Sequence, residues 1–146
     1  MKKLILATVA LLAGGMVYVL WRSESLLMFR WFNALGLGGA VQFLRVCASP
    51  YAGRLPHWVC YSLPQALWLF AGLVMLHCIW RTSHSSSKAF WLGVFLAIAF
   101  AFELGQYAGL VPGFFDTVDA LFLVAAVIAA GVLMRFMYQT ERRVTE

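Results

Sequence analysis

Four apolar blocks, each long enough to cross a lipid bilayer, dominate the sequence. They run over residues 4–21, 61–80, 89–110 and 118–137. At 1.5 Å rise per residue each block reaches about 27–33 Å, close to the thickness of a hydrocarbon core. Backbone groups in lipid must be satisfied within the spanning segment, which leaves helices as the fitting structure for blocks of this length. The sequence therefore predicts an all-α membrane protein. It has four transmembrane helices in a single domain over 1–146, plus an amphipathic interfacial segment at about 25–48, between helices 1 and 2.

Composition supports that class: 63% of the residues are hydrophobic and 12% are charged, where soluble domains sit nearer half and a quarter. The net charge of +5 is read as membrane orientation. A nucleic-acid partner would need a basic face on a soluble domain, and the pattern provides none. The opening MKKLILATVALLAGG resembles a signal peptide. However, the apolar run continues to Trp21 without a small-x-small cleavage site, so it is read as an uncleaved first span.

Basic residues next to the spans set orientation. With the N-terminus inside, Lys2, Lys3, Arg81, Lys88, Arg135, Arg142 and Arg143 are cytoplasmic, while Arg22, Arg30, Arg45 and Arg54 are outside. The bias predicts a multi-pass protein of the cell membrane with both termini cytoplasmic. Residues 22–60 are not ordinary loop material. SLLMFRWFNALGLGGAVQFLRV reads as two short amphipathic helices split by Gly36, Gly38 and Gly39, and anchored by Trp31 and Phe32. A fifth span is the rival reading, but Trp31 to Leu44 is short for one and contains Asn33 and Gln42.

This orientation gathers polar residues at the outer face. Glu103 and Gln106 share a helix face, and Glu103 lies roughly 10 Å before the end of the third span. A carboxylate inside a membrane is by default a functional hypothesis and should face the bundle interior. A structural clasp, through an arginine or a backbone group, is the competing reading. Asp116 is placed to cap the fourth helix, and Asp119 falls in its positive first turn, where it is the better candidate for a contact. Gln65 and Trp68 follow Pro64, which suits the first turn of a helix. Trp68 also fits an aromatic belt. The small residues of the fourth span, Ala125, Ala126, Ala129 and Ala130, permit close helix approach.

Other chemistry is sparse. Cys47 and Cys60 share the long loop, where a disulfide and two free thiols both remain open. Cys78 reads as a small packed residue. His57, His77 and His84 lack metal-ligand spacing. No phosphate loop or dinucleotide fingerprint is present, so neither metal nor cofactor is expected.

The order Glu103, Gln106, a Pro-Gly turn, Asp116, Asp119 and a small-residue-rich last helix, in FELGQYAGLVPGFFDTVDALFLVAAVIAAG, resembles the VanZ-like family. The entry YSLPQALWLF is similar to that of small relatives. The resemblance covers roughly residues 61–131. It departs at Gln65, where an acid stands in many relatives, and in VDALFLVAA, which lacks the family's Asn-x-x-Gly. The resemblance implies a cell-envelope protein, and the name-giving relatives are implicated in low-level resistance to teicoplanin-type glycopeptides.

From these residues a non-enzymatic polar mouth is expected, formed by Glu103, Gln106, Asp116, Asp119, Gln65 and Trp68 with Arg30 and Arg45 nearby. Its expected partners are membrane lipids and a lipid-linked or envelope ligand, whose phosphates would suit the arginines and whose sugar hydroxyls would suit the acids. The alternatives are a membrane enzyme using Glu103 as general acid or base, its catalytic partners unknown, and a structural subunit bound to a membrane protein partner.

Overall fold

A computed structural model describes residues 2–80, 86–111 and 115–145. The Pro112–Gly113 turn and the 81–85 part of the polar linker, with Arg81 and His84, lie outside the described residues. Among those described, the chain forms six helices and no strand. They are α1 (Lys2–Trp21), α2 (Leu27–Ala34), α3 (Gly38–Ala52), α4 (His57–Ile79), α5 (Ser86–Tyr107) and α6 (Thr117–Thr145). Four of them, over Lys3–Trp21, His57–Ile79, Ser86–Tyr107 and Thr117–Phe136, are long and apolar enough to cross a membrane. The rival fifth span does not form: α2 and α3 divide that segment.

The C-terminal ends of α2 and α5 use glycine. Gly36 and Gly109 have φ of +73° and +69°, a conformation that suits a residue without Cβ. After α5, Leu110 N–H donates to Gly105 O (2.8 Å) and Gly109 N–H to Gln106 O (3.1 Å). After α2, Leu37 N–H donates to Phe32 O and Gly36 N–H to Asn33 O. Both are Schellman closures, which satisfy the last carbonyls of the helix. They stop α5 at Tyr107, three residues before the expected end, and separate α2 from α3.

The core is built around α4, which packs against α1, α5 and α6. Its buried residues, including Cys60, Ser62, Pro64, Ala66, Leu69, Ala71, Leu73 and Val74, lie all round the helix. The flanking helices meet it with small side chains: Ala7 and Ala10 on α1, and Ala126 and Ala130 below Leu123 on α6. Small residues let membrane helices approach closely. Of the two alanine stripes on α6, Ala126/Ala130 is packed, while Ala125 and Ala129 are exposed.

Pro64 departs from expectation. Pro56 precedes α4 with an extended backbone (φ −60°, ψ 149°), so the helix starts at His57. Pro64 therefore lies two turns inside, fully buried. Its missing N–H costs the helix one donor, a loss that membrane helices tolerate when neighbours pack over it. Cys47, Cys60 and Cys78 are free thiols, so the possible Cys47–Cys60 disulfide is not formed.

Candidate functional site: a carboxylate-tipped cavity between α4, α5 and α6

Of the residues of α5, Glu103 alone is buried. An otherwise apolar helix turns its one carboxylate inward and its hydrocarbon outward, as expected for an acid in a spanning segment. Glu103 is 4% exposed. Its Oε2 is buried without a hydrogen-bond partner, so no arginine or backbone clasp engages that oxygen.

Glu103 closes a cavity of about 340 Å³, lined also by Gln65, Trp68 and Leu69 of α4, Phe95, Ile98, Ala99 and Phe102 of α5, and Leu123 of α6. Gln65 and Glu103 are its polar side chains, apart from the indole N–H of Trp68. That N–H is already used: Trp68 Nε1 donates to Leu11 O at 3.3 Å, and the indole packs on Tyr18 at 5.1 Å between ring centroids. Trp68 is thus a wedge between α1 and the cavity, rather than a belt residue. Gln65 sits just over two turns into α4, because the helix begins at His57 and not beside Pro64.

The acids at the start of α6 have separate tasks. Val118 N–H donates to Asp116 Oδ1 at 2.9 Å, so Asp116 caps the helix by bonding its second N–H. Asp119 leaves Oδ1 buried and unpartnered. Gln106 is half-buried one turn after Glu103, and its carbonyl helps close α5.

Ser62 was not foreseen. It is 1% exposed and its Oγ has no partner. Helical spacing puts Ser62 on one face of α4 with Trp58 and Gln65. Trp58 stacks on Phe122 of α6 at 5.3 Å, and Gln65 lines the cavity, so this face looks toward α6. The three-residue step from Ser62 to Gln65 was the signal available in the sequence.

Arg30 and Arg45 do not join these acids. α2 and α3 pack on each other, and α3 packs on α1, but neither reaches α5 or α6. Arg45 Nη1 donates to Val19 O at 2.6 Å and its Nε to Glu24 Oε1 at 3.1 Å, with the guanidinium over the ring of Phe29. This holds α3 against the end of α1, away from Glu103. Arg30 is exposed on α2. Arg22 comes nearer to α4: its guanidinium carbon lies 4.6 Å from the Tyr61 ring centroid and 5.2 Å from that of Tyr18. Among the described residues, no group of three His, Cys, Asp or Glu side chains is placed to hold a metal ion.

No protein-family model, curated protein or solved structure matches the chain. The VanZ-like reading therefore rests on the residues that carry the resemblance.

Proposed function

We propose that the chain is a non-enzymatic binding protein of the cell membrane, with both termini cytoplasmic, that holds the head of an amphiphilic ligand in the cavity closed by Glu103. The observation that carries this reading is the combination of an apolar wall with a buried carboxylate whose Oε2 is unpartnered. Ligand sites are typically apolar clefts of a few hundred Å³ with a few orienting polar groups. The apolar wall suits a hydrocarbon portion, and Gln65 and Glu103 suit a head that donates hydrogen bonds. Binding is favoured over catalysis because the side chains sharing the cavity with Glu103 include no nucleophile and no second titratable group. The arginines expected to receive phosphate, Arg30 and Arg45, do not line the cavity, so the acids, not the arginines, set the chemistry of the head.

The test is photo-crosslinking in the native membrane. A photoreactive residue is placed at Phe102, on the rim, and the adduct is identified by mass spectrometry. Recovery of a membrane amphiphile, lost in Glu103→Gln at equal protein level, supports the reading. Recovery of only a protein neighbour overturns it in favour of a structural subunit. The VanZ-like resemblance adds a physiological reading: loss of the protein would change susceptibility to teicoplanin-type glycopeptides, and Glu103→Gln would fail to restore it.

A further inference from the structure

Given an amphiphile-binding cavity, the geometry points to a protonated amine as the head group it selects. The inference rests on the binding reading above and narrows its ligand.

Glu103 near the end of α5 and Asp116 and Asp119 at the start of α6 lie toward the same end of the bundle, where the two helices pack. Two of them keep a buried oxygen without a partner, Glu103 Oε2 and Asp119 Oδ1. Ser62 Oγ, on the α4 face that looks toward α6, is unpartnered as well. Buried acceptors left unpaired are costly, and charged ones more so. A ligand in the cavity that brings donors and positive charge removes that cost at Glu103, the one of the three that lines it.

Among the described residues, no cation of a neighbouring element lines the cavity. Arg45 is bonded to Glu24 and to Val19 O. Arg22 lies over the rings of Tyr18 and Tyr61; its Nε is buried without a hydrogen-bond partner, but it does not line the cavity.

The ligand chemistries can then be ranked. A phosphate or carboxylate head would meet like charge at Glu103. A metal ion needs several converging ligands, and the described residues offer no such group. A neutral hydroxyl donates one hydrogen bond and leaves the charge uncompensated. An ammonium head supplies three donors and a full positive charge. Its polarised N–H and C–H groups also suit the aromatic wall of Trp68, Phe95 and Phe102, since a cation is attracted to a ring face. The attached chain would lie along Leu69, Ile98 and Leu123.

The experiment compares three probes sharing one chain, dodecylamine, dodecanol and dodecyl phosphate, titrated at matched mole fraction into the full-length protein in a non-ionic detergent. Binding is read as apparent affinity from calorimetry and as the rise in melting temperature. The amine is expected to bind tightest, and Glu103→Gln to weaken it about 10- to 100-fold, the range for loss of a charged hydrogen bond. Asp119→Asn, which does not line the cavity, should weaken it less and serves if Glu103→Gln does not fold. Glu24→Gln removes a negative charge outside the cavity and should leave the affinity unchanged. Equal binding of amine and alcohol overturns the amine inference while leaving the amphiphile reading in place. Preference for the phosphate overturns the inference and the ranking of charges. No binding by any probe overturns both readings.

Discussion

The indole of Trp68 occupies the space that a side chain at Gly14 would need. A Cβ there would stand 2.8 Å from Trp68 Nε1, 2.9 Å from its Cδ1 and 3.1 Å from Pro64 O. The absence of one side chain on α1 therefore lets α4 carry a tryptophan that walls the cavity from the other side.

Gly14→Ala should destabilise the protein by about 1–3 kcal/mol, the range for overpacking a filled site. The indole cannot easily yield, because it is bonded to Leu11 O. Gly15→Ala, whose new Cβ would meet nothing within 4 Å, should be neutral or slightly stabilising. Thermal unfolding of the two variants in the same detergent separates them. Equal melting temperatures would mean that α1 and α4 are less closely apposed than described.

Glu103→Met should leave the protein as stable as wild type or more so, by about 1 kcal/mol, since it replaces an unpartnered buried carboxylate by an apolar group of similar length. Ligand binding should be lost at the same time. A melting temperature lowered by several degrees would show that the carboxylate holds the helices together.

Asp116→Ala should cost about 1 kcal/mol through loss of the α6 cap, while Asp116→Ser keeps most of it. Unfolding curves for both variants test this. Identical losses would assign the effect to charge rather than to the hydrogen bond from Val118 N–H.

Arg45→Ala should loosen α3 from α1, because it strips the bond to Val19 O and the contact with Phe29 together, leaving the bond from Trp21 Nε1 to Ala48 O. Glu24→Gln should change stability by less than about 1 kcal/mol, as expected for a largely exposed ion-pair partner. Limited proteolysis near Arg54 reads the difference: faster cleavage is expected in Arg45→Ala alone.

The proposed topology, with both termini cytoplasmic, predicts that the exposed Cys47 on α3 reacts with a membrane-impermeant maleimide added to intact cells. Cys78, toward the opposite end of α4, should react only after permeabilisation. The reverse pattern would invert the topology.

The spans were legible because a bilayer demands about twenty apolar residues, and that demand is written directly in residue order. The split into α2 and α3 was legible in Gly36. The start of α4 was misplaced because two prolines compete for the role of helix opener, and Pro56, not Pro64, holds it. Glu103, Gln65 and Asp119 could be brought to one end from span direction and helical spacing alone. The destination of Arg45 could not, since it depends on which exposed carbonyl lies within reach after α1 ends. Trp68 as a cavity wall was equally hidden, because its partner is a glycine, which carries no side chain to announce a contact.

Ile98 and Phe102 line the cavity, yet they are 55% and 59% exposed. Its rim is therefore a sideways doorway in the part of α5 that faces hydrocarbon. An amphiphile bound as proposed would not need to leave the bilayer to arrive; it would diffuse in two dimensions along the leaflet. Occupancy would then follow the amphiphile's abundance among neighbouring lipids rather than its concentration in water, so the protein would act as a gauge of membrane composition.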